Sequence, residues 1–266
     1  MALQVADVGM AFPGANGDAL QVLDRVSFAV EYGSFNTLVG PSGCGKSTLL
    51  QIMAGLVPAT EGAVSLDGRP YATPPGEVIY LFQQYTRSLL PWLTVRDNIS
   101  FGLRMQGALS RTAIAGRVAE LIRIVGLDGF ENYFPRQISG GMQQRVAIAR
   151  ALACQPKVLL MDEPFSSVDA LTRSSLQDQT LRLWRELDLT IVFVTHDIEE
   201  AIYLGQNVRV LGGRPARVIE DVDIDLPAER NQLDTREHPN FLRYRHALLT
   251  AIYENPSAAP EIAKAS

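Results

Sequence analysis

Nine residues, GPSGCGKST from Gly40 to Thr48, set three glycines ahead of a lysine and two hydroxyl side chains. The spacing fits G-x-x-x-x-G-K-[ST], a pattern whose chemistry is phosphate binding. Glycines let the backbone wrap closely, so that successive N–H groups and a helix start face phosphate oxygens. Lys46 brings a point charge to the β and γ oxygens, and the Ser47 hydroxyl suits Mg²⁺. The apolar FNTLVG precedes the loop as a short strand, and STLLQIMAGL continues it as a helix. A glycine-rich turn without a ligand is the alternative, but strand, helix and Lys–Ser pair together favour a nucleotide. Gly40, Pro41, Ser42, Gly43, Cys44, Gly45, Lys46, Ser47 and Thr48 are therefore the expected cradle. Cys44 is expected to have no redox role, only alkylation near a bound nucleotide.

A second set of chemical residues lies at VLLMDEP, an apolar run ending in two acids. Beside a phosphate loop, Asp162 is expected to hold Mg²⁺ and Glu163 to act on the attacking water as base or orienter. His196 follows another apolar run, TIVFVTHD, at the carboxyl end of a strand, where α/β sheets gather ligands. It is expected to reach the γ-phosphate or Glu163. The stretch ISGGMQQR, Ile138–Arg145, is odd for a helix start, because glycine loses the most backbone freedom on ordering. Ser139 could be an N-cap, but that leaves the second glycine without a reason.

These residues need positioning elements, and the order of apolar runs supplies them. LQVADVGMAF and LDRVSFAVEYG read as strands around the turn-rich PGANGDA, and GAVSLDG and VIYLFQQ as further strands. From LTVRDNISFGLRMQ to LACQ the period becomes helical, with Val118, Leu121, Ile122 and Val125 on one face. KVLLMDEP and TIVFVTHD flank the helical LQDQTLRLWREL, and NVRVLGGRPARVIEDVDI closes the strands. The result is an α/β core with a parallel sheet and a helical insert at about 95–150. Beyond 225, HPNFLRYRHALLTAIY places Phe241, Arg245, Leu248 and Ile252 on one helical face, before a frayed end. The expected division is 1–225 for the core and 226–266 for the extension.

The whole chain has 266 residues, 47% hydrophobic and 20% charged, with formal net charge −5. That is globular composition without the basic excess that a sequence-independent nucleic-acid grip requires. Two separated cysteines argue against a disulfide framework and for a reducing compartment. The start lacks the pattern of a signal peptide, and no apolar run is long enough to span a bilayer. The expectation is a soluble chain that meets membranes through a partner.

Taken together, the motifs resemble those of the ATPase subunits of ABC transporters, from about Val5 to Ile219. GPSGCGKST is similar to the family's Walker A loop and LLMDEP to its Walker B strand with catalytic glutamate. ISGGMQQR is similar to its signature, with Met142 in place of the usual glutamine. Gln83 falls at the Q-loop, Ser166 and Asp169 at the D-loop, and His196 at the switch histidine. Phe12 falls where an aromatic stacks on adenine. The resemblance implies a P-loop NTPase core with an N-terminal antiparallel β subdomain, and a helical subdomain carrying the signature. It implies ATP and Mg²⁺ as ligands, with Ser47, Gln83 and Asp162 as metal contacts. It also implies a head-to-tail pair of copies, in which Ser139, Gly140, Gly141 and Met142 face the ATP of the opposing subunit.

Within that family, SGGMQQR, the stretch SLLPWLTVRDNI and the tail resemble importers of nitrate, sulfonates, taurine and related solutes. The implied partners are transmembrane permease subunits and, through them, a solute-binding protein. The implied location is the cytoplasmic face of the inner membrane, and no nucleic acid is expected. Leu90, Pro91 and Trp92 would receive a permease helix; a satellite hydrophobic cluster under a loop is the alternative. Two other functions were weighed. A non-transport ATPase acting on nucleic acid or ribosomes would carry long coiled coils or two cassettes, and neither is present. A non-catalytic nucleotide sensor is opposed by Glu163 and His196.

Overall fold

The structure is a computed structural model and describes residues 1–13, 18–84, 88–107, 109–166 and 168–255. Residues 14–17, within the expected turn PGANGDA, and 256–266, within the expected frayed end, lie outside the described set. The chain divides into two compact units, one of residues 1–75 with 190–266 and one of residues 76–189.

The first unit contains an antiparallel sheet of order β2–β1–β4–β5. Its strands are β1 (Leu3–Pro13), β2 (Ala19–Val30), β4 (Glu61–Leu66) and the short β5 (Arg69–Tyr71). Inward residues such as Leu3, Val5, Val26 and Val64 are buried, as strand alternation requires. Beside it, β3 (Phe35–Val39) is buried at every position and pairs in parallel with β8 (Ile191–Val194) and β9 (Asn207–Gly212). The final strand, β10 (Arg217–Asp223), returns antiparallel to β9. Complete burial explains why β8 reads as a continuous apolar run, whereas β10 is largely exposed. Helix α1 (Lys46–Met53) follows β3.

The second unit holds the parallel pair β6 (Val78–Leu81) and β7 (Val158–Asp162), in register from Val78↔Val158 to Leu81↔Met161. Its helices are α2 (Val95–Gln106), α3 (Arg111–Ile124), α4 (Gly140–Ala153) and α5 (Ala170–Glu186). Val118, Leu121, Ile122 and Val125 are all buried, on the face that the periodicity marks. Helix α5 begins at Ala170, six residues before the expected LQDQ, because the Asp169 side chain caps it.

Two short helices escaped the sequence reading, α6 (Ile198–Leu204) and α7 (Asp234–Glu237); each is too brief to show a period. The terminal helix α8 (Pro239–Tyr253) buries Phe241, Tyr244 and Leu248. Arg245, expected on the same face, is half-exposed and ion-paired instead. Among the described residues no helix is long and apolar enough to cross a membrane.

Candidate nucleotide site

In the first unit, β3 ends at Val39 and the chain turns at once into the glycine loop. Gly45 is the N-cap of α1 with φ 103°, and a Cβ there would come within 2.9 Å of the Val22 and Leu23 side chains. Only glycine meets both demands. A Cβ on Gly40 would lie 2.2 Å from the Leu211 carbonyl oxygen, so this glycine answers a close backbone approach. Lys46 is buried, and its ammonium donates to the carbonyls of Gly40 at 2.8 Å and Pro41 at 2.9 Å. The loop thus folds around its own cation. Cys44 is also buried, and desolvation pushes its thiol above the ordinary value, partly offset by Lys46. Alkylation is therefore not favoured there, because the thiolate is the reactive form. Phe12 lies on β1, opposite Leu20, with 39% of its surface exposed and available for stacking.

His196 lies just past β8, with its side chain exposed. On either side of it the chain is held. The Thr195 N–H donates to the Leu38 carbonyl at 3.1 Å, and Asp197 caps α6 by accepting from the N–H groups of Glu199 and Glu200.

In the second unit, Asp162 ends the buried β7, and the Tyr80 hydroxyl donates to its Oδ2 at 2.7 Å. Glu163 follows with φ +39°, in the left-handed region that costs a residue with a long side chain. The Gln83 amide donates to Glu163 Oε2 at 3.2 Å, so the expected water-activating group and the expected Q-loop residue meet directly. Ser166 turns back on the same loop, its hydroxyl donating to the Glu163 carbonyl at 3.0 Å. Asp169 Oδ1 accepts from the Thr172 N–H at 3.0 Å, and hydrogen bonding from the Thr172 side chain, then from its N–H, holds the Asp169 carboxyl below the ordinary range. Both D-loop residues thus have local structural work.

Ser139 is the N-cap of α4, its hydroxyl accepting from the Met142 N–H at 3.3 Å. A Cβ on Gly141 would meet the Thr172 methyl at 2.9 Å, so packing against the start of α5 gives the second glycine a reason within the chain. Ser139, Gly141 and Met142 line an open cavity of about 390 Å³ with Arg145 and Leu171. Two residues carry more than their sequence context suggests. The buried Gln144 donates to the Pro164 carbonyl at 2.7 Å, tying α4 to the loop of Glu163. Gln143 donates to the carbonyls of Pro135 and Ile138, holding the approach to Ser139. The partner of Gln144 is twenty residues away and those of Gln143 are loop carbonyls five and eight residues back, so spacing alone held no signal for either.

The segment Ser88–Thr94 is built on Asn98 of α2. That buried side chain accepts from the Leu90 N–H at 2.9 Å and donates to the carbonyls of Leu90, Leu93 and Thr94 at 3.0–3.1 Å. Arg150 of α4 donates to the Ser88 carbonyl at 2.6 Å and to its hydroxyl at 2.9 Å. Leu89 is buried beneath, whereas Trp92 stands 69% exposed.

A parallel-sheet core with a glycine phosphate loop, an acidic strand end and a glycine-led helix defines an ATP-binding cassette. The ABC transporter family profile matches residues 23–166. This chain belongs to the ABC transporter family. It is 44% identical to the aliphatic sulfonates import ATP-binding protein SsuB of Bacillus cereus, over 87% of this chain and 90% of that one. It is 40% identical to the nitrate import ATP-binding protein NrtD of Synechocystis, over 92% of each. It is 45% identical to the taurine import ATP-binding protein TauB of Rhizobium johnstonii, over 84% of each. Among solved structures, a dimeric bacterial ABC transporter cassette aligns with TM-score 0.73 and 31% identity, covering 84% of this chain and 99% of the other.

Proposed function

We propose that this chain is the ATP-hydrolysing subunit of an importer that takes up a small solute of the nitrate, sulfonate or taurine kind. Identities of 40–45% over more than four-fifths of each named import subunit support the reading. The single structural observation that carries hydrolysis is the Gln83–Glu163 contact at a carboxylate held on strained backbone. Glu163 would take the proton of the attacking water, and Gln83 would orient its carboxylate. Lys46 and the N–H groups of residues 42–48 would hold the β- and γ-phosphates, Phe12 the adenine ring, and His196 the γ-phosphate.

Among the described residues no three or more His, Cys, Asp or Glu side chains gather to hold a metal. Mg²⁺ is held through one or two protein oxygens, water and substrate phosphates, and the Asp162 carboxylate at the end of β7 is an oxygen donor of that kind. Ser47, Gln83 and the buried Asp162 are the oxygen donors we assign to it. Bound there, Mg²⁺ would neutralise charge on the β- and γ-phosphates.

A second copy would complete the site, with Ser139, Gly140, Gly141 and Met142 facing its nucleotide and Ser166 and Asp169 lying alongside. The dimeric state of a structural neighbour supports this arrangement. Residues 88–94, led by Trp92, would seat a permease helix at the cytoplasmic face of the membrane, and the permease would meet a solute-binding protein. Residues 1–225 would form the ATPase and 226–266 an extension. The test is co-expression with a permease and binding protein encoded beside this chain, followed by solute uptake into vesicles loaded with ATP. Uptake that persists in Glu163→Gln would refute the assignment.

A further inference from the structure

Helix α6 starts two residues beyond His196, and it is gripped along its whole length by the C-terminal extension. At its start, the Thr195 hydroxyl donates to the buried Glu200 carboxylate at 2.6 Å and accepts from the Asp197 N–H at 3.0 Å. His196 therefore sits in a turn whose two neighbours are fixed by the first turn of α6. At the other end, the Arg230 guanidinium donates to the carbonyls of Ile202, Tyr203 and Gly205 at 3.3, 2.5 and 3.1 Å. The first two are carbonyls that a helix end leaves without intrahelical partners, and the third belongs to the capping residue. On the outer face, Glu199 accepts from Arg236 at 2.9 Å and from Arg245 at 3.1 Å. Arg236 also lies over the ring of the fully buried Tyr203, 5.3 Å from its centroid. A helix of seven residues has little stability of its own. Its position is set by what holds it, and three of the holding groups are arginines of the extension.

We propose that Arg230, Arg236 and Arg245 are positioning residues that set His196 for hydrolysis by clamping α6. They bond Glu199 and the end of the helix, and act through them. The proposal rests on the reading of His196 as a γ-phosphate contact. If α6 frays or rotates, the histidine just before its cap moves with it, and a displacement of about 1 Å costs turnover heavily. Nucleotide affinity depends on the glycine loop, which the clamp does not contact, so kcat and ATP binding should separate.

The experiment uses the full-length chain, measuring ATPase rate against ATP concentration and equilibrium binding of a fluorescent trinitrophenyl ATP. For Arg236→Ala with Arg245→Ala, and for Glu199→Ala, kcat should fall about three- to tenfold while KM and binding stay within about twofold. Arg236→Lys with Arg245→Lys should recover most of the rate. In a His196→Ala background the same clamp changes should produce no further fall, since the group they position is gone. An equal fall in both backgrounds would mean general destabilisation and overturns the proposal. Unchanged kcat in the clamp variants, with a reduced rate in His196→Ala, overturns it while leaving the histidine reading intact. Wild-type turnover in His196→Ala overturns both. Should the double variant fail to fold, Arg245→Gln, at a half-exposed position, carries the same comparison.

Discussion

Gly141 offers a test that separates two reasons for one residue. The packing reason is local: an added Cβ would lie 2.9 Å from the Thr172 methyl, against about 3.5–4.0 Å for an unstrained carbon contact. Alanine in place of a helical glycine ordinarily stabilises by about 0.5–1 kcal/mol. Overpacking by one methyl costs about 1–3 kcal/mol. Gly141→Ala should therefore destabilise the chain by about 0–2 kcal/mol. Thr172→Ser removes the offending methyl but keeps the backbone N–H that Asp169 accepts. In that background Gly141→Ala should become neutral or stabilising, with a coupling of about 1–2 kcal/mol by urea denaturation. The catalytic reason belongs to the proposed function: a partner's γ-phosphate would need bare backbone here, and relief of packing would leave that requirement untouched. ATP hydrolysis by the Gly141→Ala, Thr172→Ser chain should stay low although its stability is restored. A stability cost that persists with Thr172→Ser refutes the packing argument. Wild-type hydrolysis in the double variant refutes the close approach.

Glu163→Gln should retain ATP binding and collect as an ATP-bound dimer on gel filtration, with turnover reduced by at least about 100-fold; wild-type turnover would remove Glu163 as base. Trp92→Ala should leave the hydrolysis of the isolated chain unchanged and lower ATP-driven uptake in the assembled transporter, so an unchanged uptake rate would discard residues 88–94 as the docking segment. Cys44 should resist iodoacetamide at pH 8 in the native chain, at least about tenfold slower than an exposed thiol. Its raised thiol keeps the proton through neutral pH, and only more alkaline solution or unfolding should speed labelling; rapid native labelling would contradict its burial.

The candidate residues stood out in the sequence because each lies in a short local pattern. Gly40–Thr48 needs a strand before it and a helix after it, and both are visible in nine residues and their flanks. Strands β7 and β8 were legible because complete burial makes them largely apolar, whereas β3 and β9 also bury Asn36, Thr37 and Arg209. What supports those groups was not legible, because a side-chain bond to a loop carbonyl leaves no mark in residue type or spacing. Gln144 reads as one more polar residue after two glycines until its bond to Pro164 is seen. Asn98 reads as an ordinary helix residue until four bonds tie it to Leu90, Leu93 and Thr94. Gly141 drew attention as a residue awaiting a partner, and the contact with Thr172 supplied a reason that no spacing contains. The extension reads as a helix with an apolar face; Arg230, Arg236 and Arg245 face α6, and their register there follows from packing alone.

Asn98 also bears on the thermodynamics of whatever meets Trp92. One amide side chain satisfies a backbone N–H and three carbonyls of the segment beneath the indole, and Arg150 anchors its start. The conformational entropy of that segment is spent when the chain folds. An encounter at the indole then orders little more than a single ring, so more of the buried area is retained as affinity. Loosening the mount by Asn98→Ala should therefore weaken association through entropy, with the contacting surface itself unchanged.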